Sequence, residues 1–244
     1  IAQTRTWFYY THVISTILFD KAPFENVVTT GTVLAEDGQK MSKSKNNFPD
    51  PWIIFDKFGV DALRFYLMSC PVMKGEDFNF SEKGVQDVTS KIVTRLDNVV
   101  AFYELYRDKS LEKDANESKS ENVLDQWINA RLAQLITEVT SGMSAYDMSQ
   151  ATRPFDLFIE DLSTWYLRRS RERLKDGDMN AKQTLYIVLK TVAQLLAPFT
   201  PFIAEDIWSK LKGENDIESV HLTDWPKGEK SDEDIISEMS IVRH

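Results

Sequence analysis

The sequence has few of the residues that cross-link chains or bind metals. It contains one cysteine, Cys70, among 244 residues, so it cannot form an internal disulfide or a multi-cysteine zinc site. Its three histidines, His12, His221 and His244, are far apart in the sequence and belong to no metal-binding pattern. This composition predicts a chain that holds no metal of its own and resides in the reducing cytoplasm.

Long apolar segments are also absent. No apolar run approaches the roughly 18 residues of a membrane span, and no signal peptide is visible. Hydrophobic residues make up 42% and charged residues 27%, close to the globular average, which excludes the collagen-like and disordered classes. We therefore expect one or two folded domains without membrane association.

The charge is unevenly distributed along the chain. The formal net charge is −9, and residues 213–242, with nine acids and two bases, account for −7 of it. A charge of −9 spread evenly would argue against a nucleic-acid partner, because phosphates require basic surface. The rest of the chain is nearly neutral and has local basic clusters, so nucleic acid is not excluded. We expect the acidic residues 231–238 to be solvated.

The first part of the chain has an α/β pattern. Residues 3–19 have helical apolar spacing. Residues 27–30 are β-branched and predict a strand, which residues 32–34 extend or restart. Residues 36–38 form a turn, and residues 39–47 are a polar, basic loop. A helix, a buried strand and then a functional loop are typical of one edge of a doubly wound sheet. Asp50 and Pro51 predict the start of short helices at 52–57 and 60–68. A short strand is expected near residues 77–80.

From Ser81 onward the pattern is helical. Apolar stripes predict helices beginning near residues 81, 123, 154, 180 and 201, and a polar linker at 108–122. Such helices form a bundle, with Trp127, Phe202 and Trp208 expected in its core and Gly177 ending the third helix. Asp61 and Arg64, three residues apart on a helix, are expected to pair with each other.

The loop at residues 40–45 is the first candidate site. Lys40, Lys43 and Lys45 lie within six residues, and the small hydroxyl residues Ser42 and Ser44 lie between them. Such a loop can neutralise the negative charge that builds up on a triphosphate when pyrophosphate leaves. A solvated basic loop without function explains the lysines equally well, so residues 40–44 alone do not decide between the two interpretations.

The basic residues 168–175 are the second candidate site. This segment carries a net charge of +4 at the end of the third bundle helix, and the candidate contacts are Arg168, Arg169, Arg171 and Arg173. Arginines bind phosphates through paired N–H groups, and the neighbouring Trp165 could stack on an unpaired base. The alternatives are that Trp165 is a core residue and that the basic side chains only complement the helix dipole.

The loop Lys40-Met41-Ser42-Lys43-Ser44 resembles the signature of class I aminoacyl-tRNA synthetases. Residues 33–39 before it and 47–51 and 59–64 after it are also similar to this family, as are the helical segments 162–171 and 196–202. The block 3–9 resembles the segment that marks the isoleucine-specific branch among its valine and leucine relatives. The resemblance covers nearly the whole chain.

The resemblance implies a two-step reaction. Isoleucine and ATP, accompanied by Mg²⁺, form an adenylate, and the aminoacyl group is then transferred to tRNA(Ile). The family assigns Lys40 and Lys43 to triphosphate stabilisation, Met41, Ser42 and Ser44 to the ATP-binding loop, and Gln3 to an adenylate contact. The arginines and Trp165 would contact the anticodon arm. A monomer is expected.

The resemblance also predicts the fold and domain limits. Residues 1–48 would be the end of a Rossmann-type catalytic domain, and 49–82 a connecting segment that contacts the tRNA stem. Residues 83–212 would be a helical anticodon-binding domain, and 213–244 an acidic tail or the start of a C-terminal region. The fold would be mostly α overall, with an α/β edge.

The chain departs from the family pattern in ways that limit what it can do alone. Ala2 and Thr6 stand where the family has an acid and a glycine, which puts ribose binding in doubt. The family's His-Ile-Gly-His signature and editing domain are not in the sequence, so we expect a fragment that is inactive by itself. A valine or leucine relative, a stand-alone helical RNA-binding module and another nucleotidyl transferase are the alternatives.

Overall fold

The computed structural model describes residues 2–45, 47–108, 120–213, 215–228 and 231–243. Within these residues the fold is mostly helical, which confirms the coarse prediction. The chain divides into two compact units, Ile1–Thr30 and Gly31–His244. The predicted domain limits at residues 48, 82 and 212 stay predictions.

The N-terminal unit is built on one apolar helix. A 3-10 turn at Ala2–Arg5 precedes α1 (Trp7–Phe19), so the helix expected at 3–19 is confirmed over most of its length. None of the residues Trp7–Phe19 is buried, and the exposed fraction is 66% for Trp7 and 76% for Ile17. The strand expected at 27–30 is wrong. These residues pair with no strand among those described, so their β-branched side chains alone do not make one.

A small parallel sheet opens the second unit. Strand β1 (Val33–Leu34) pairs with β2 (Phe78–Asn79), with Val33 opposite Phe78, which confirms a short strand near residue 78. Gly31 allows the close approach before β1, because a Cβ there would lie 1.9 Å from the carbonyl oxygen of Glu76. Whether this sheet is the edge of a Rossmann domain stays a prediction.

Two short helices follow the loop as predicted. The Asp50 carboxylate accepts the N–H of Trp52 at 3.0 Å and caps α2 (Pro51–Phe58). Gly59, with a φ of 84°, separates α2 from α3 (Val60–Ser69). The expected pair between Asp61 and Arg64 is wrong, because both side chains bond to residues near position 200 instead.

The remainder of the described chain is a helical bundle that begins at the Ser81 cap. Its elements in chain order are α4 (Glu82–Val88), a π-helical turn (Thr89–Thr94), α5 (Arg95–Leu105), α6 (Val123–Ser144), α7 (Met148–Glu160), a π-helical turn (Asp161–Tyr166), α8 (Leu167–Lys175), α9 (Met179–Leu196), α10 (Pro201–Leu211) and α11 (Glu233–Arg243). Gly177 follows α8 with a φ of 89°, as its predicted role as a helix stop requires. Residues 109–119 of the predicted linker lie outside the described residues.

Two apolar cores organise the second unit. The larger core fills the bundle and includes Trp127 and Trp208, as expected, whereas Phe202 is 69% exposed and the prediction for it is wrong. Helices α6 and α7 pack closely at Gly142, where a Cβ would lie 2.5 Å from the backbone nitrogen of Ala151. The smaller core lies between α2, α3, α4 and the sheet. Its buried residues are Ile54, Ala62, Tyr66, Cys70, Val72, Phe80 and Val85.

The acidic residues at 231–238 are exposed, as expected, but the segment that carries them is a helix packed on the bundle and not a free tail. Helix α11 packs on α6, its Met239 is buried, and Ile235 and Ile236 are partly buried against the larger core. Arg243 at its end forms an ion pair with Asp161. The acids occupy one face of an amphipathic helix, and its apolar face supplies the docking surface.

Candidate functional site

A tight hairpin presents the lysine-rich loop. Leu34 and Lys40 form an antiparallel bridge, and the N–H of Ala35 donates to the carbonyl of Gln39 at 2.9 Å. Gly38 closes the turn, since its φ of 77° lies in the left-handed region that glycine adopts at least cost. Because Leu34 lies in β1, the sheet fixes the point at which the loop begins.

Side chains of the loop hold its backbone in place. The Asn47 amide accepts the N–H of Ser42 at 2.9 Å and donates to the carbonyl of Lys40 at 3.2 Å. The Ser42 hydroxyl accepts the N–H of Lys45 at 3.2 Å and lies 3.2 Å from the hydroxyl of Ser44. The two serines that the resemblance assigns to the ATP-binding loop therefore organise that loop. Sequence reasoning missed Asn47, although a short amide side chain just after a polar loop is a signal for this kind of bracing.

The lysines of the loop have different surroundings. The Lys45 amine donates to the side-chain oxygen of Gln39 at 2.9 Å. Lys40 is exposed, and its amine has no hydrogen-bond or ion-pair partner among the described residues. The side chain of Lys43 lies outside the described part, and Met41 is half-buried against the smaller core. Lys40 is thus a cation on a braced loop that is available for an anionic ligand.

Gln3, the predicted adenylate contact, belongs to the N-terminal unit. It lies in the turn Ala2–Arg5, and its side chain is outside the described part. Its proposed contact with an adenylate therefore rests on the sequence resemblance.

Three of the four predicted arginines form an exposed basic surface on α8. Arg168 is exposed and has no polar partner among the described residues. The guanidinium of Arg169 lies 4.3 Å from the ring centre of Trp165, and that of Arg171 lies 5.3 Å from the ring centre of Phe102. Stacking on these rings orients both guanidinium groups and leaves their N–H groups free to bind phosphate.

Arg173 belongs to a buried network instead, which corrects its assignment to the RNA surface. Its guanidinium donates two hydrogen bonds to Asp125, at 3.0 and 2.8 Å, and one to Asp178, at 2.9 Å. Asp125 is fully buried and also accepts the hydroxyls of Tyr166, at 2.9 Å, and Ser120, at 2.6 Å. Burial and then the Asp125 charge raise the pKa of Tyr166 well above its usual value, so this hydroxyl stays a donor. Three of the five N–H donors of Arg173 are thus used inside the protein.

Trp165 is not an open stacking platform. It is half-buried, Arg169 lies over its ring, and the Arg243 guanidinium lies 5.4 Å from the ring centre. Its indole nitrogen is buried and has no partner within the described residues. The structure therefore supports the alternative for Trp165, a packing residue that carries Arg169.

A groove beside the arginines was not predicted. Its volume is about 500 Å³, and it runs between α5 and the segment containing α8. Arg95 and Arg171 contribute charge to it, and Phe102, Leu105 and Leu167 contribute apolar surface. A groove that combines guanidinium groups with apolar surface suits an unpaired nucleotide. The sequence does contain a signal for this groove: Arg95 and Phe102 are seven residues apart, which places both on one face of α5.

Metal binding and membrane spanning find no support in the described part of the chain. It contains no group of three or more His, Cys, Asp or Glu side chains that could hold a metal ion. None of its helices is both long and apolar enough to cross a bilayer.

Family models match both parts of this architecture. Residues 1–81 match the class I tRNA synthetases (I, L, M and V), and residues 125–244 match the anticodon-binding domain of tRNA ligases. The matched residues include the braced lysine loop and the exposed arginines of α8. Residues 1–81 are therefore similar to the class I tRNA synthetases, and residues 125–244 are similar to the anticodon-binding domain of tRNA ligases.

Among these enzymes, the isoleucine–tRNA ligases are similar to the chain over most of its length. It is 47% identical over 233 residues to the enzyme of Chlamydia trachomatis serovar D and 44% identical over 236 residues to that of Chlamydia pneumoniae. These alignments cover 92% and 93% of the chain but 22% of each relative, so the chain spans about a fifth of their length.

Solved structures show the same fold. Agrobacterium radiobacter K84 agnB2 LeuRS, in a ternary complex with tRNA and LeuAMS, matches with a TM-score of 0.70 and 21% identity over 93% of this chain and 27% of its own. Mycobacterium tuberculosis methionyl-tRNA synthetase, in complex with methionyl-adenylate, matches with a TM-score of 0.60 and 23% identity over 75% of this chain and 38% of its own. At these identities the likeness supports the fold alone.

Proposed function

We propose that this chain is part of an isoleucine–tRNA ligase, which activates isoleucine with ATP and transfers it to tRNA(Ile). The observation that carries the proposal is the 47% identity over 92% of the chain to an isoleucine–tRNA ligase. The activity is proposed for the complete protein, because the chain spans about a fifth of its relatives. We propose that the complete protein works as a cytoplasmic monomer, and that residues 1–48, 49–82 and 83–212 are its catalytic, connecting and anticodon-binding parts.

The loop is proposed to bind the triphosphate of ATP. Lys40 and Lys43 would stabilise the negative charge of the leaving pyrophosphate, while Ser42, Ser44 and nearby backbone N–H groups would donate hydrogen bonds. Residues 40–45 contain no carboxylate, so they fit the phosphate oxygens and not a metal ion. Mg²⁺ would accordingly be held by the phosphates of ATP, where it neutralises their charge.

The surface of α5 and α8 is proposed to bind the anticodon arm of tRNA(Ile). Arg168, Arg169 and Arg171 would contact phosphates, and the adjacent groove would accept an unpaired nucleotide. Support comes from the exposure of the three guanidinium groups and from the anticodon-binding family match.

Amino-acid-dependent ATP–pyrophosphate exchange by the complete protein tests the substrate. Isoleucine should support exchange at a higher kcat/KM than valine by about 10–200-fold, the discrimination that one methylene in an apolar pocket provides. Leucine, whose branch point is displaced, should be a poor substrate. Faster exchange with valine or leucine than with isoleucine would assign the chain to one of those relatives, and exchange with none of the three would refute the ligase.

A salt titration of tRNA binding tests the arginine surface. The double variant Arg168→Ala plus Arg171→Ala should reduce the slope of log K against log salt by roughly 1.4–1.8, since two phosphate contacts are lost. Lys227→Ala, at an exposed lysine outside this surface, is the control and should leave the slope unchanged. A double variant with the wild-type slope would show that these arginines do not contact phosphate.

A further inference from the structure

Two side chains of α3 clamp the corner between α9 and α10. Asp61 accepts the backbone N–H of Ile203 at 2.7 Å. Arg64 donates to the carbonyls of Pro198, at 3.2 Å, and Phe199, at 3.4 Å. These bonds join residues more than 130 positions apart in the sequence.

The two charges match the ends of the helices they contact. Helix α10 begins at Pro201, and its N-cap Thr200 makes no side-chain capping bond. The Asp61 carboxylate, which is 4% exposed, accepts a helix N–H in place of the Thr200 side chain. The unpaired N–H groups and the helix dipole at the N-terminus of α10 favour an anion there. Arg64 meets carbonyls just beyond the C-terminus of α9, where a cation is favoured. Exchanging the two residue types would oppose both dipoles.

Helix α3 belongs to both apolar cores. Ala62 and Tyr66 lie in the smaller core, and Phe65 lies in the larger one. The ring centre of Phe65 is 6.0 Å from that of Phe155 and 6.5 Å from that of Phe199. The clamp and Phe65 therefore hold the same corner, and α3 cannot move without disturbing both cores.

The other face of α3 leads to the lysine loop. The Tyr66 hydroxyl accepts the N–H of Ser81 at 3.2 Å, and its ring lies 5.6 Å from that of Phe78 in β2. Strand β2 pairs with β1, and Leu34 of β1 forms the bridge to Lys40. A continuous series of packed and hydrogen-bonded groups thus connects the α9–α10 corner to the start of the loop.

We infer that Asp61 and Arg64 are positioning residues that fix the orientation of the loop-bearing segment on the tRNA-binding bundle. The inference rests on the proposed ligase function. Adenylate formation does not use the tRNA, so this orientation should matter little for it. Transfer requires the bound tRNA to present its end to the catalytic part, so it should depend on the clamp.

The test compares two reactions of the complete protein. Asp61→Ala and Arg64→Ala are measured by isoleucine-dependent ATP–pyrophosphate exchange and by aminoacylation of tRNA(Ile). Asp61→Asn keeps an acceptor for Ile203 and serves as the rescue variant. Glu218→Ala, at an exposed acid outside the segments proposed to bind ATP or tRNA, is the matched control. Arg64→Lys keeps the positive charge but lacks the guanidinium that donates to the carbonyls of both Pro198 and Phe199. If an alanine variant fails to fold, Arg64→Lys is compared with wild type in the same two reactions.

The expected result is a split between the reactions. Aminoacylation kcat should fall about tenfold in both alanine variants, while exchange and the KM for tRNA stay within about twofold of wild type. Asp61→Asn should recover most of the loss, and Glu218→Ala should behave as wild type. Unchanged aminoacylation, or an equal fall in both reactions, would overturn the inference while leaving the ligase intact. A wild-type protein without isoleucine-dependent exchange would instead overturn the proposed function and this inference with it.

Discussion

Lys40→Ala in the complete protein is expected to lower isoleucine-dependent ATP–pyrophosphate exchange by about 10²–10³-fold, the usual effect of removing one preorganised electrostatic donor. The loop backbone is braced by Asn47 and Ser42 without help from the Lys40 amine, so the substitution removes a charge and leaves the loop in place. The loss should appear in kcat more than in the KM for ATP, because the charge develops as pyrophosphate leaves. Steady-state exchange at varied ATP measures both parameters.

The neighbouring lysines provide the comparison. Lys43→Ala should lower exchange as Lys40→Ala does, and tRNA binding should survive in both variants. Lys45→Ala is the matched control, because its amine already bonds to Gln39, and it should cost less than about tenfold. Equal losses at Lys40 and Lys45 would indicate a general effect of loop charge, and unchanged exchange at Lys40 would remove its proposed role.

Arg173→Ala is expected to lower the free energy of unfolding by about 3–5 kcal/mol, the usual cost of breaking a buried ion pair from one side. Its removal leaves the fully buried Asp125 carboxylate with two hydroxyl donors and no compensating cation. The network joins several helices. Asp125 lies on α6, Tyr166 in the turn Asp161–Tyr166, and Arg173 on α8, while Asp178 caps α9. Removing the Arg173 guanidinium therefore weakens the packing of these helices together. Urea unfolding followed by circular dichroism measures the change.

Arg168→Ala separates the structural effect from the loss of a positive charge. Arg168 is on the same helix and is exposed, so its substitution should change stability by less than about 0.5 kcal/mol. Its effect should instead appear in tRNA binding. Should Arg173→Ala prove as stable as Arg168→Ala, the buried network would not hold the helices together as described.

Local signals in the sequence were sufficient for most helix positions. The Asp50 and Ser81 caps and the Gly177 stop are each decided by residues within a few positions of one another, and all three are found in the structure. The apolar stripe of α4 and α5 is likewise decided by helical spacing, and its residues Val85 and Leu96 are buried. Local chemistry and helical period are properties that a single sequence displays directly.

Pairings between distant residues could not be predicted in this way. Asp61 was expected to pair with Arg64, three positions away, but its partner is Ile203. Arg173 lies in a basic run that resembles an RNA contact, and only the fold brings Asp125 to it from α6. Spacing shows which residues share a helix face, whereas the partner of that face depends on how the helices pack.

The candidate loop was predicted in its residues but not in its organisation. The sequence identified the lysines and serines, and the family resemblance supplied their role. The sequence alone did not distinguish Lys40, exposed and unpartnered among the described residues, from Lys45, which is bonded to Gln39. That difference arises from the folding of the loop, which returns Lys45 to the side of Gln39, and it decides which substitution should affect catalysis.

The burial of Cys70 has a practical consequence for measuring motion in this chain. Its thiol lies in the smaller core, and burial raises its pKa to about 12, so almost no thiolate forms at neutral pH. Because the thiolate is the reactive form, the native thiol should hardly react with maleimide dyes. A cysteine introduced at an exposed position of α2 and another on α8 would then become the labelling sites. Energy transfer between two such dyes would report changes in the distance between α2 and α8, on either side of α3.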